Sequence, residues 1–137
     1  MLVIINHAYM ADFIRKNLLS AVIKGESFSL PDFVNRVQGF NLGLRLTHWE
    51  TTSYELHKAV EATQESLESL LDDFVEACIG KDDGKRPSFS SSVTKELDPD
   101  SLLDFLSSVS IKDTDLLNIR DEMLQALHKF KYLKSLN

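Results

Sequence analysis

At 137 residues, 43% of them apolar and 26% charged, the chain suits one domain with its own core, and its composition reads as ordinary globular protein rather than as a disordered chain. Its formal net charge of −6 argues against a nucleic-acid partner, which calls for a basic surface, and the one cluster Lys81, Lys85, Arg86 is diluted by Asp82 and Asp83. The single cysteine, Cys78, rules out an internal disulfide framework and fits a reducing, cytoplasmic setting, while no apolar run is long enough to expect a membrane span.

In chain order, Asn6 can cap a helix over 6–24 in which Tyr9, Phe13, Ile14, Leu18 and Val22 recur at helical spacing, with Gly25 as its stop. His7 then reads as a solvated first-turn residue rather than a ligand. Ser29 and Pro31 open a second helix over 30–50 with an inward stripe of Phe33, Val37, Phe40 and Leu44. Gly39 and Gly43 weaken that helix by up to about 1 kcal/mol each relative to alanine, a cost that predicts the close approach of another helix. Trp49 is the only tryptophan, and its large apolar area points to packing in the core or in an interface.

Thr51, Thr52 and Ser53 are cap-forming residues. An unbroken helix from His48 to His57 would place the two imidazoles on opposite faces, at about 100° per residue. A site that uses both therefore requires a turn at 51–53. From Ser53 to Cys78 the spacing predicts a third helix with Leu56, Val60, Thr63, Leu67, Leu70, Leu71, Phe74 and Cys78 inward. A second stripe on it runs His57, Glu61, Glu65, Glu68, Asp72, Glu76. Like charges at i,i+4 repel, so the stripe needs either solvent or a cation to offset it.

The Gly-, Pro- and Ser-bearing stretch 79–97 reads as a crossing loop, pinned to the body by Phe89. Asp98–Pro99 opens a short helix over 99–109 with Leu102, Leu103, Phe105, Leu106 and Val109 apolar. Asp113–Thr114 opens a last helix over 114–134 with Leu116, Ile119, Met123, Leu127, Phe130 and Leu133 or Leu136 inward. Asp121, Glu122 and His128 read as solvated.

Carboxylates with imidazoles are a ligand set for iron, manganese or zinc, and helical bundles build such sites from inward Glu, Asp and His. Glu61 and Asp72 are separated by about 16 Å along a helix at 1.5 Å per residue. They cannot bind one ion within one copy. If two copies pair antiparallel about a two-fold axis with His57 opposite Glu76, then Glu61 falls opposite Asp72 and two equivalent sites form.

The pattern His48-Trp49, His57-x3-Glu61, Asp72-x3-Glu76 resembles the inter-subunit ferroxidase motif of the Dps-type mini-ferritins, with Glu61 where that family usually has Asp. The resemblance implies iron as cofactor, oxidised by oxygen or peroxide, with His48, His57 and Glu61 as ligands from one copy and Asp72 and Glu76 from the other. Trp49 would be the catalytic tryptophan beside the iron. No Lys-rich tail is present, so the DNA binding known in that family is not implied. The run His48 to Ala59 (HWETTSYELHKA), the Asp72/Glu76/Ala77 group and the segment Asp113 to Leu124 also resemble small ferritin-like proteins of tailed phages and large viruses. Together these imply a single all-α domain. It would be a ferritin-like four-helix bundle with an added short helix and a long crossing loop, self-associating through the Ser53–Cys78 helix. The rival expectation is a phage or viral oligomeric binding or assembly protein of the same fold with no redox activity.

Overall fold

A computed structural model describes residues 28–136, which form four α-helices and no strand. The helix expected over 6–24, and His7 with it, lie outside the described residues. Helix α1 spans Leu30–Glu50, α2 Tyr54–Lys81, α3 Pro99–Ser108 and α4 Thr114–Ser135. No helix among the described residues is long and apolar enough to cross a membrane.

The starts follow the capping chemistry. Ser29 accepts from the Asp32 amide (3.4 Å), Ser53 from the Leu56 amide (3.2 Å) and Asp98 from the Asp100 amide (3.0 Å), each meeting one of the unpaired N–H groups of a first turn. Asp113 precedes α4 but makes no side-chain cap; its carboxylate faces Lys81 instead, at 3.9 Å. Helix α2 runs three residues beyond the expected Cys78, to Lys81, and the chain turns away through Asp83 and Gly84, at φ 53° and 80°.

Helix α2 is central and packs against both α1 and α4, while α3 bridges α4 and α1. Its buried Val60, Leu67, Leu71 and Phe74 meet Phe33, Val37, Phe40 and Leu44 of α1 and Met123, Leu127 and Phe130 of α4. Phe33 stacks on Phe74 with ring centroids 4.2 Å apart, and Phe28 closes the same end edge-on to both. Burial of aromatic side chains of this size contributes several kcal/mol at that end.

Two expectations are corrected. The chain that approaches Gly39 and Gly43 is not a helix but the extended end of the α2–α3 connection. A Cβ on Gly39 would run into the Thr94 carbonyl, and one on Gly43 into the Glu96 carbonyl and the Leu97 side chain. The Glu96 amide donates to the Gly39 carbonyl (3.0 Å). Phe89 does not pin the connection; it is exposed, and the buried Pro99 and half-buried Val93 anchor the segment. Of the two inward candidates at the end of α4, Leu133 packs against the core and Leu136 is exposed, because α4 ends at Ser135. Of the two placements expected for Trp49, the core is excluded, since the side chain is 65% exposed.

Candidate functional site

The break between α1 and α2 falls where a shared histidine site requires it. Thr51 ends α1, its amide closing the last turn on the Thr47 carbonyl (2.9 Å), and its hydroxyl accepts from the Ser53 amide (3.1 Å). The chain reverses, and the two imidazoles meet. Their centroids lie 3.8 Å apart with the rings 23° from parallel.

Each ring turns Nδ1 toward the other residue's main chain: His57 Nδ1 donates to the His48 carbonyl (2.9 Å), and His48 Nδ1 lies 3.4 Å from the His57 carbonyl. The His48 carbonyl is one of the last four of α1, which have no partner within the helix. The His57 ring therefore caps α1 from α2. A carbonyl only accepts, so the hydrogen sits on Nδ1 and the neutral ring keeps its lone pair on Nε2. That tautomer, fixed by a main-chain oxygen, is the one in which metal-ligating histidines are commonly held.

Glu61 stands one turn beyond His57, half-buried, 3.1 Å from Lys58. The Lys58 ammonium holds its carboxyl below the usual carboxylate range, and both imidazoles act in the same direction. Farther along the stripe Glu65, Glu68, Asp72 and Glu76 are all exposed. Part of the offsetting cation charge comes from the chain itself: Lys58 serves Glu61, and Arg45 reaches Glu68 at 3.5 Å. Asp72 and Glu76 have no ion pair or hydrogen bond among the described residues.

His48, His57 and Glu61 thus share one end of the α1–α2 hairpin, while Asp72 and Glu76 lie toward the opposite end of α2. Among the described residues no three His, Cys, Asp or Glu side chains converge as candidate ligands. The near-parallel rings also bear on the fit of a metal. In-plane lone pairs that leave two rings 3.8 Å apart do not meet at a metal–nitrogen distance of about 2.1 Å. In this arrangement the two Nε2 atoms address separate positions, and one ion held by both requires a ring to turn.

Trp49 and Tyr54 flank the turn, both largely exposed. The Arg45 guanidinium lies 5.7 Å from the Trp49 ring centroid, in cation–π range. Arg45 also joins a polar group that the sequence reading passed over. Asn41 and Gln64 are 2% and 8% exposed, and with the Gln64 amide turned so that its oxygen faces the guanidinium, Oε1 accepts from Arg45 Nε (3.0 Å) and Nη2 (3.1 Å). The signal for Asn41 was its position, four residues after Val37 and four before Arg45, on the flank of the apolar stripe.

No curated protein and no solved structure matches this chain. Residues 48–133 match the model of a family of unknown function (DUF5856), a span that begins at His48 and takes in both stacked histidines and every carboxylate of the α2 stripe. The chain belongs to that family.

Proposed function

We propose that this chain is a ferritin-like, iron-binding protein that works as a homo-oligomer, its metal site divided between two copies. His48, His57 and Glu61 would serve one side and Asp72 and Glu76 of a second copy the other, with Trp49 beside them. The observation that carries the reading is the stacked histidine pair. The turn at Thr51–Ser53 brings the rings together, Nδ1–H bonding to main-chain carbonyls leaves both Nε2 atoms without a partner among the described residues, and one ring would turn from the stack for both to hold a single ion.

Two further features support it. The carboxylates assigned to the far side, Asp72 and Glu76, are exposed and unpaired among the described residues, whereas Glu61 and Glu68 already have cations beside them. Trp49 is exposed beside the pair, as a side chain held for a subunit contact would be. Bound iron would supply one-electron chemistry toward oxygen or peroxide; the chain's own part is to fix tautomers and place carboxylates. Chelator-stripped protein should take up Fe(II) and oxidise it, and Asp72→Ala/Glu76→Ala should abolish uptake without changing the helical content. An oligomer that neither binds nor oxidises iron contradicts the proposal.

A second reading is favoured by a different observation. The His57 ring closes an otherwise unpaired carbonyl of α1, a structural task complete without metal. On that reading the chain is a ferritin-like binding or assembly protein of phage or viral type, and His57→Ala with Asp72→Ala leaves oligomer and partner binding intact.

A further inference from the structure

The groove between α1 and α2, separate from the histidine pair, has in its wall a buried polar side chain with no partner among the described residues. Asn41 is buried to 2% exposure, and among the described residues neither its Oδ1 nor its Nδ2 has a partner. A buried amide left without hydrogen bonds is destabilising and rare. The charged and amide side chains of the α1–α2 rim are engaged with one another: Gln64 with Arg45, and Arg45 with Glu68 and the Trp49 face. The groove encloses about 250 Å³, with Leu42 and Val93 as apolar walls. That is below the roughly 300–1,000 Å³ of sites for drug-sized ligands, so it has room for one small ring.

We propose that this groove binds a small, neutral, planar ligand that carries a hydrogen-bond donor beside an acceptor, an amide or lactam edge, with Asn41 as the recognising residue. An asparagine amide presents the complementary acceptor and donor, the geometry by which it reads base edges. Neutrality follows from the rim, where Arg45 and Glu68 offset one another at 3.5 Å. Because both Asn41 amide atoms are shut off from solvent, entry requires the exposed rim chains Leu42 and Arg45 to move aside. The Arg45–Glu68 contact is half-exposed and offers little resistance. An unpaired core amide is the kind of local rule broken at functional positions.

The test uses the full, 15N-labelled chain with two probes, uracil as a heterocyclic lactam and nicotinamide as an open carboxamide. The Asn41 side-chain NH2 resonances, assigned by their absence in Asn41→Leu, are expected to shift with at least one probe. Which probe moves them tells a lactam from a carboxamide. The same Asn41→Leu variant is expected to lose binding at least tenfold and to unfold at a higher temperature. Asn41→Ala, which cannot overpack the site, should also lose binding. Failure of both probes to move those resonances overturns the proposal. So does a lowered unfolding temperature in both variants, since that means the amide is already paired in the free protein.

Discussion

His57 Nδ1 donates to the His48 carbonyl at 2.9 Å across the α1–α2 turn, and the two rings stack at 3.8 Å. The relation is asymmetric, because the reverse contact, from His48 Nδ1, is 3.4 Å long. A net hydrogen bond contributes about 1 kcal/mol, and contacts beyond the usual range much less. His57→Ala should therefore destabilise the metal-free protein by about 1 kcal/mol or somewhat more, and His48→Ala by distinctly less. Urea denaturation of the two variants measures this. Equal losses would show that the reciprocal geometry does not persist in solution.

Gly39→Ala and Gly43→Ala set two effects against each other. Alanine improves α1 by up to about 1 kcal/mol, but its Cβ meets main-chain carbonyls of the α2–α3 connection, which cannot rotate away as a side-chain end could. Overpacking of this kind typically costs about 1–3 kcal/mol, so both variants should be less stable than the parent. The Glu96 amide, bonded to the Gly39 carbonyl, should exchange with solvent faster in each. Hydrogen exchange at Glu96 reads the displacement directly.

Phe74 is fully buried, stacked on Phe33 and touched edge-on by Phe28. Phe74→Ala leaves a large void at one end of the bundle and should cost about 3–5 kcal/mol. Against a typical total of about 5–15 kcal/mol, that is enough to lower the denaturation midpoint steeply. Phe89→Ala, at an exposed position, should leave it within about 0.5 kcal/mol.

Lys81 ties the end of α2 to the start of α4 through Asp115 at 3.0 Å. The Lys81 hydrogen bond holds the Asp115 carboxyl below its ordinary value, and the lysine is raised in return. Stability from the depressed carboxyl is present above its unfolded value of about 3.9 and is lost as pH falls through the folded one. The raised lysine contributes below about 10.4 and loses its share at higher pH. In Lys81→Met the Asp115 carboxyl should titrate at a higher pH than in the parent, read by NMR. Because both groups are exposed, the effect on overall stability is small.

Helix positions were legible because capping residues and apolar spacing agree: Ser29, Ser53 and Asp98 each start a helix, and Phe33, Val37, Phe40 and Leu44 are all buried. The turn that joins His48 to His57 follows from helical geometry once both histidines are assigned to one site, and the cap-forming run Thr51–Ser53 marks its place. What lay beyond reach were contacts that depend on where a loop runs. Gly39 and Gly43 announce a close neighbour without saying that it is extended chain, and Phe89 has the chemistry of an anchor on a segment that stands off the body. Asn41 was hidden by its neighbours, a polar residue in an otherwise apolar stretch, whose burial follows only from how α1 meets α2.

The central claim is that one metal site draws on two copies, and subunit mixing tests it most directly. His48→Ala/His57→Ala chains lack one half of every site, and Asp72→Ala/Glu76→Ala chains lack the other. Each stripped variant alone should fail to bind and oxidise Fe(II). After exchange of subunits, every mixed two-fold pair regains one intact site and loses the other completely, so the mixture should recover a substantial fraction of parental iron binding. A mixture that exchanges subunits yet stays inactive, or a parent protein that binds iron as a monomer, contradicts the account.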